Sequence, residues 1–265
     1  MNSTIAKKRY STTSLLLGGL FALTAVSCAG SSDNGGGAGS GGGGSAGGGS
    51  TGSSTAAANS DTVTFAAGKG ANGPMSGYGW VALGAQDSLS SPVCDATGAT
   101  PAGGATDEIT TAKPCPEVGG KTKWSSDTAL CISGKVPIVV NDDYTNNWGA
   151  QIGVNTSDPA GDVITKTYSS VTFNYENAPV GVVMRAEIHK KGDDPGTTYC
   201  ATATPGKALL FSTFSKTCWD GKPANCTFVA DGGPAGIDKV GLQVSADTNS
   251  AYTLTDLCLK SIEFK

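Results

Sequence analysis

The sequence predicts an all-β protein whose folded part is a β-sandwich (jelly roll). Short runs rich in Val, Ile, Thr and aromatic residues recur from residue 61 to the end of the chain, and Gly, Pro, Asn and Asp separate them. Helical periodicity is nearly absent from the same region. Short strands joined by turn residues at such spacing are typical of two-sheet sandwiches and jelly rolls.

Residues 1–27 are predicted to be a lipoprotein signal peptide. Lys7, Lys8 and Arg9 form a basic start, and LLLGGLFALTAV, residues 15–26, forms an apolar core too short to span a bilayer. The next residues, AVSC at 25–28, resemble the lipobox of bacterial lipoproteins, in which the cysteine is acylated. The alternative is an ordinary cleavage site beside an unrelated cysteine, because alanine stands where that motif prefers leucine.

Residues 28–60 are predicted to be the acylated Cys28 followed by a flexible linker. The linker is almost entirely Gly, Ser, Ala, Thr and Asn, a composition that buries no apolar surface and therefore stays disordered. A coil of about 30 residues spans on the order of 30 Å. Ala29, rather than aspartate, follows the cysteine, and the resemblance then implies an outer-membrane anchor, with the domain facing the periplasm or the cell exterior.

Residues 61–265 are long enough for one all-β domain with a single core. The predicted strands are 62–66, 77–83, 129–134, 148–155, 170–175, 180–189, 198–201, 208–211, 237–245 and 257–264. Residues 84–124, rich in Gly, Thr, Ala and Pro without a clear period, are expected to form an irregular insertion.

Two of these strands show a clear alternation between an apolar and a polar face. In residues 180–189 the polar face holds Arg185, Glu187 and His189. In residues 237–245 the apolar residues point mostly inward and Gln243 points outward. His189 is expected to be a surface residue at the end of its strand.

The net charge restricts the partners that the protein can have. The formal charge is −4, and removal of the three basic residues of the signal leaves −7. Nucleic-acid binding and electrostatic membrane binding both need clustered Lys and Arg. We therefore expect no nucleic-acid partner and contact with the membrane through the lipid anchor only. The protein is also expected to be a monomer.

Eight cysteines are present, and seven remain once Cys28 is assigned to the lipid. An exported domain keeps disulfides, and the absence of CxxC pairs, with a single histidine, gives no zinc spacing. The favoured interpretation joins Cys94 to Cys115, Cys131 to Cys258 and Cys200 to Cys218 and leaves Cys226 over, with Cys218 to Cys226 as the alternative.

An ordered series of segments resembles a known kind of module. The series is ALCISG at 129–134, DYTNNWGAQIGVN at 143–155, SVTFNYENAP at 170–179, VVMRAEI at 182–188, TYCA at 198–201, FSTFSKTCWDG at 211–221, IDKVGLQVSA at 237–246 and DLCLKSIEF at 256–264. It is similar to the carbohydrate-binding jelly rolls of myxobacterial secreted proteins, which resemble family 11 carbohydrate-binding modules and galactose-binding-like sandwiches. The similarity extends over roughly residues 125–265.

The resemblance implies non-catalytic binding of a polysaccharide or a cell-surface glycan. Such modules stack aromatic rings on the C–H face of a sugar, while amides, acids and an arginine bond its hydroxyls. The positions that match are Tyr144, Trp148, Arg185, Glu187 and Gln243. The resemblance implies no catalytic residue and no organic cofactor.

Several of these residues have a structural alternative. Trp148 shares the parity of the apolar residues of its strand and therefore fits the core as well as a ligand. Arg185 and Glu187 could form a solvated ion pair instead. Asp142 and Asp143 offer the oxygen atoms that Ca²⁺ prefers, but capping of their own turn is favoured because the run matches no EF-hand spacing.

The function predicted from these features is glycan binding by a surface-tethered lipoprotein. The sequence has no HExxH pattern and no phosphate loop, so binding is favoured over catalysis. One alternative is an envelope structural or protein-interaction domain without glycan binding. The other is a polysaccharide hydrolase or lyase on the same scaffold, with Glu187 and Asp142 or Asp143 as its paired carboxylates.

Overall fold

The computed structural model describes residues 61–94, 109–110, 122–157, 161–194, 197–216, 218, 227–229, 233 and 235–265. The predicted signal peptide, the linker with Cys28, and both Cys115 and Cys226 lie outside the described residues. Among the described residues, no helix is long and apolar enough to cross a membrane.

Fifteen strands make up almost all of the regular structure of the described residues. They are β1 (Thr62–Ala66), β2 (Lys69–Ala71), β3 (Gly79–Leu83), β4 (Ser88–Ser91), β5 (Val93–Cys94), β6 (Ile109–Thr110), β7 (Thr122–Lys123), β8 (Leu130–Val136), β9 (Gly149–Asn155), β10 (Ser170–Glu176), β11 (Met184–Lys190), β12 (Tyr199–Thr202), β13 (Ala208–Leu210), β14 (Ile237–Ser245) and β15 (Tyr252–Phe264). A 3₁₀ turn, Phe211–Thr213, follows β13.

The strands form two antiparallel sheets that pack against each other, which confirms the predicted β-sandwich. The larger sheet has the order β13-β10-β15-β8-β4-β6, with β1 added to β15 and β2 to β1. The smaller sheet has the order β12-β11-β14-β9-β3, and β5 and β7 pair separately. The long strand β15 is central because it pairs with β10, β8 and β1.

The core lies between the two sheets and is built from alternate residues of each strand. From the smaller sheet, Ile152, Ile188 and Leu242 are fully buried, and from the larger sheet Ile132 and Phe173 meet them. Removal of this apolar surface from water is the main force that holds the sheets together. Because strand side chains alternate, the same register turns the intervening residues of the smaller sheet away from the core.

Two of the predicted disulfides are confirmed. Cys131 and Cys258 are direct partners on β8 and β15, with their Cα atoms 4.0 Å apart. Cys200 on β12 is bonded to Cys218, so the alternative of Cys218 with Cys226 is wrong. The predicted bond from Cys94 involves Cys115, which lies outside the described residues.

The described residues of the segment 84–124 are more regular than expected. It contributes β4, β5, β6 and β7, and β4 pairs with β8 within the larger sheet. Leu89 of β4 and Ile109 of β6 are buried in the core. Strand β4 has the sequence SLSS, and a single apolar residue gives too little alternation to mark a strand.

Replacement of Ile152 by alanine should lower the free energy of unfolding by about 2–5 kcal/mol, because it removes fully buried methylene and methyl groups from the middle of the core. Urea denaturation followed by far-ultraviolet circular dichroism measures this. The matched control is Val180→Ala, at a residue 100% exposed, which should change stability by less than about 0.5 kcal/mol. Equal effects at the two positions would contradict this packing.

Candidate functional site

The outer face of the smaller sheet collects polar side chains from three neighbouring strands. Strand pairing sets Arg185 opposite Gln243, and Gln243 opposite Gln151. Two residues further along these strands, at the next positions that face outward, Glu187 lies opposite Gly241, and Gly241 lies opposite Gly153. These rows run across β11, β14 and β9 on the side that faces away from the core.

An aromatic ring covers the glycines of the second row. Trp80 on β3 is the direct partner of Gly153. A Cβ atom at Gly153 would lie 2.3 Å from Trp80 Cζ2, and one at Gly241 would lie 3.1 Å from Trp80 Cη2. The indole therefore lies across the two glycines, and the absence of their side chains makes room for it. Trp80 is half-buried.

Glu187 is the buried acid of this face. It is 9% exposed, and Gln151 Nε2 donates to its Oε2 at 2.8 Å. Burial raises the pKa of Glu187, whereas hydrogen bonds from Thr198 and Gln151 and the charge of Arg185 act in the opposite direction. The carboxyl group is thus held in place by an amide, a hydroxyl and a nearby cation.

Arg185 and Gln243 form the second polar pair. Burial lowers the pKa of Arg185, against the influence of Glu187 and Tyr144. Arg185 Nη1 donates to Gln243 Oε1 over a long 3.4 Å, and Gln243 Nε2 donates to the carbonyl oxygen of Trp148 at 3.2 Å. Because a guanidinium has five donors, this contact leaves most of the hydrogen-bonding capacity of Arg185 available.

The structure brings most of the sequence-predicted residues together. Arg185, Glu187 and Gln243 share one face of one sheet. Tyr144, 46% exposed, is close enough to Arg185 to influence its pKa. Trp148 is half-buried, and its backbone carbonyl oxygen accepts a hydrogen bond from Gln243.

Sequence reasoning missed Trp80 and Gln151. A signal for Trp80 was present in the two isolated glycines, Gly153 and Gly241, inside otherwise apolar strands. Such glycines often mark a place where another group approaches the backbone closely. The sequence alone did not tell which residue approaches, because β3 lies far from β14 along the chain.

The acidic corner before β9 caps its own turn. The backbone N–H of Asn146 donates to Asp143 Oδ1 at 3.3 Å, and its Nδ2 donates to Asp143 Oδ2 at 3.2 Å. Asp142 is exposed and has a left-handed φ of 55°. Within the described ranges, no three His, Cys, Asp or Glu side chains are grouped to hold a metal ion. These contacts support the capping interpretation, and Ca²⁺ at Asp142 and Asp143 stays a prediction.

A second acid, Asp87, fastens this corner to the turn after β3. Asp87 is 3% exposed and accepts backbone hydrogen bonds from Gly84 and Gly149. The pKa of Asp87 is raised to about 6, because the effect of burial exceeds the opposite effect of these two hydrogen bonds. Gly84 N–H also donates to Gly149 O at 2.8 Å. The start of β9, and with it the position of Trp148, is fixed by these bonds.

His189 departs from its expected place at the surface. It is 7% exposed, and its Nδ1 lies 2.6 Å from Asp238 Oδ1. His189 keeps the outward parity of Arg185 and Glu187 and pairs directly with Lys239, but its ring contacts Asp238 on β14 and the carbonyl oxygen of Asp194, 3.4 Å from Nε2. The expectation of a surface residue was wrong because these contacts come from a neighbouring strand and a turn, which the alternation within one strand does not show.

A shallow depression at the other end of β9 is separate from the polar face. It is lined by Ser76, Thr156, Asp162 and Lys191 among others, and Lys191 Nζ donates to the carbonyl oxygen of Gly161.

No protein-family model matches the chain, and no curated protein is significantly similar to it. The interpretation of the polar face therefore depends on its own geometry.

Replacement of Gly153 by alanine should displace the Trp80 ring, because a methyl group would lie 2.3 Å from Cζ2. The indole Nε1–H resonance of Trp80 in a ¹H–¹⁵N NMR spectrum reports this. A Lys239→Ala variant, altered at a different outward position of the same sheet, should leave the resonance in place. An unchanged Trp80 resonance in Gly153→Ala would show that the ring does not lie over this glycine.

The pH dependence of stability should report on Asp87. Its folded-state pKa of about 6 lies above the ordinary 3.8, so its contribution to stability is fully present below about pH 4 and is lost as the pH rises to about 6. This loss of stability amounts to at most about 3 kcal/mol, and it should be absent in Asp87→Asn, which has no carboxyl group to ionise. Urea denaturation of both proteins between pH 4 and pH 7 measures the difference, and parallel curves would contradict the assignment.

Proposed function

We propose that this protein is a surface-tethered lipoprotein whose β-sandwich binds carbohydrate without catalysing a reaction. The observation that carries the proposal is the Trp80 ring, which lies along the sheet beside the Glu187–Gln151 and Arg185–Gln243 pairs. An aromatic surface next to fixed polar groups suits a sugar ring, which has an apolar C–H face and a rim of hydroxyls.

The polar groups supply both kinds of hydrogen-bonding partner. Arg185 donates and Glu187 accepts when ionised. The amides of Gln151 and Gln243, 8% and 6% exposed, hold these two side chains in place through their own hydrogen bonds. The indole reaches across β9 and β14, the two strands that separate β3 from β11. A sugar on Trp80 would therefore present its hydroxyls towards Glu187 and Arg185. Tyr144 adds a second aromatic side chain near Arg185.

The location of the protein is part of the proposal. The basic and apolar segments before Cys28 favour export, the lipobox resemblance favours acylation of Cys28, and Ala29 favours the outer membrane. The Gly- and Ser-rich residues after Cys28 would hold the domain away from the lipid surface. A glycan of the envelope or of the surroundings is then within reach.

Binding to neutral β-glucans should weaken at least tenfold, or about 1.4 kcal/mol, in Arg185→Ala and in Tyr144→Ala. Tyr144→Ala removes an exposed ring and should leave the melting temperature near that of the wild type. Arg185→Ala also removes the cation beside the buried Glu187 and should lower the melting temperature while the protein stays folded at the assay temperature. Isothermal titration calorimetry and a glycan array provide the measurements. Lys239→Ala, which removes a cation from another part of the same sheet, is the control and should bind normally. Failure of the wild-type protein to retain any glycan of a broad array would overturn the proposal.

Glu187 is the specific observation that favours an enzyme as the second candidate. A buried acid with a raised pKa suits general acid catalysis. Glycoside hydrolysis commonly needs a second carboxylate across the sugar, whereas Glu187 interacts with Thr198, Gln151 and Arg185. Release of products from a polysaccharide, abolished by Glu187→Gln, would replace binding by catalysis.

A further inference from the structure

Exposed apolar side chains are concentrated at one end of the sandwich. Among the described residues, five of the seven exposed large hydrophobic side chains belong to the loops that precede β9 and β11. We call these five the apolar rim: Ile138, Val140, Tyr144, Val180 and Val183. Val180 is 100% exposed, and the others are 43–49% exposed. A grouping of this kind marks an interaction site more often than scattered exposed residues do.

The two loops are held at the same place by backbone hydrogen bonds. Val139 N–H donates to Asp247 O at 2.8 Å, and Ser245 N–H donates to Val183 O at 3.1 Å. Ser245 is the last residue of β14, and Asp247 follows it by two residues. The apolar rim is therefore one region of the surface, even though its residues come from separate parts of the chain.

The apolar rim is continuous with the polar face of the smaller sheet. Val183, Arg185 and Glu187 are every second residue of one chain segment, so their side chains point to the same side of the sheet. Val183 lies just before β11 and extends this line of outward side chains to the end of the sheet. Tyr144 lies near Arg185 and belongs to the turn in which Asp143 N–H donates to Val140 O at 3.3 Å. A ligand bound at Arg185 would reach the rim without leaving the protein surface.

The charges near the rim restrict what covers it. Residues 137–148 and 177–183 contain Asp142 and Asp143 and neither Lys nor Arg. Anionic lipid headgroups are attracted by clusters of several basic residues. Only the single cations Lys135 and Arg185 flank these two loops, so this end has no such cluster. An uncharged apolar group needs no basic cluster. If it is part of the ligand that binds the polar face, it is held next to the rim by that ligand.

We propose that the ligand is a glycan that carries an uncharged acyl or alkyl chain. Its sugar lies on Trp80 and bonds Glu187 and Arg185, while its chain lies on Val183 and Val180 and removes their side chains from water. This inference rests on the proposed function, since it assigns the sugar to the same face. It adds that the affinity comes from both parts of the ligand.

The test uses one neutral β-gluco-oligosaccharide with and without an octyl chain at its reducing end, each below its micelle concentration. The octyl form should bind the wild-type protein at least tenfold more tightly in calorimetric titrations. In the double variant Val180→Ser, Val183→Ser this gain should disappear, while the affinity for the unmodified oligosaccharide stays the same. Leu210→Ser, at a β13 residue 54% exposed, is the matched control and should keep the gain.

The outcomes separate the two proposals. Equal affinities of the two ligands, or a gain that survives in the double variant, would overturn the apolar contact and leave sugar binding intact. Loss of the gain in Leu210→Ser would overturn it too, since the effect would not be specific to the rim. Failure of both ligands to bind, or binding of the octyl form that is unchanged by Trp80→Ala, would overturn the proposed function together with the inference.

Discussion

Burial of one face of each sheet is the constraint on which the rest of the structure depends. Successive side chains of a strand point to opposite sides, so the placement of Ala186 and Ile188 in the core sends Arg185 and Glu187 outward. A shift of one residue would place a guanidinium between the sheets at a large cost in solvation. The composition of the outer face is therefore a consequence of the packing of the inner one.

The same constraint explains which parts of the fold could be predicted from the sequence. Strands β1 and β14 begin and end at the predicted residues. Strands β9 and β10 differ from the prediction by one residue at one end, and β12 by one residue at each end, because alternation or an apolar run is strong there. Strand β11 begins at Met184 rather than at residue 180, since Val182 N–H closes a turn on Pro179 O. Strand β15 begins at Tyr252, before a register shift between Leu254 and Leu257 that interrupts its pattern. Turns and bulges of this kind depend on contacts that no local pattern contains.

The candidate site also contains residues that the sequence could identify and residues that it could not. Arg185, Glu187 and Gln243 were identified because parity within their own strands is enough to place them outward. Trp80 was missed because its position depends on two glycines in other strands, and Gln151 because its partner is the buried acid of a third strand. Burial of such polar groups is favourable only when they bond to one another, so the network stiffens the face before any ligand arrives.

The position of Asp61 has a consequence for how the domain is presented. Phe264 N–H donates to Asp61 O at 2.9 Å, so the chain enters the sandwich beside the last residues of β15. The loops before β9 and β11 lie near the first residues of that strand, since Val139 is bonded to Asp247 just ahead of Tyr252. Thirteen residues of β15 extend about 40 Å. In the proposed tethered arrangement, the point of attachment and the loop end are therefore opposite poles of the domain. The apolar rim is then the part of the domain farthest from the membrane, and the polar face lies along the side between the two poles.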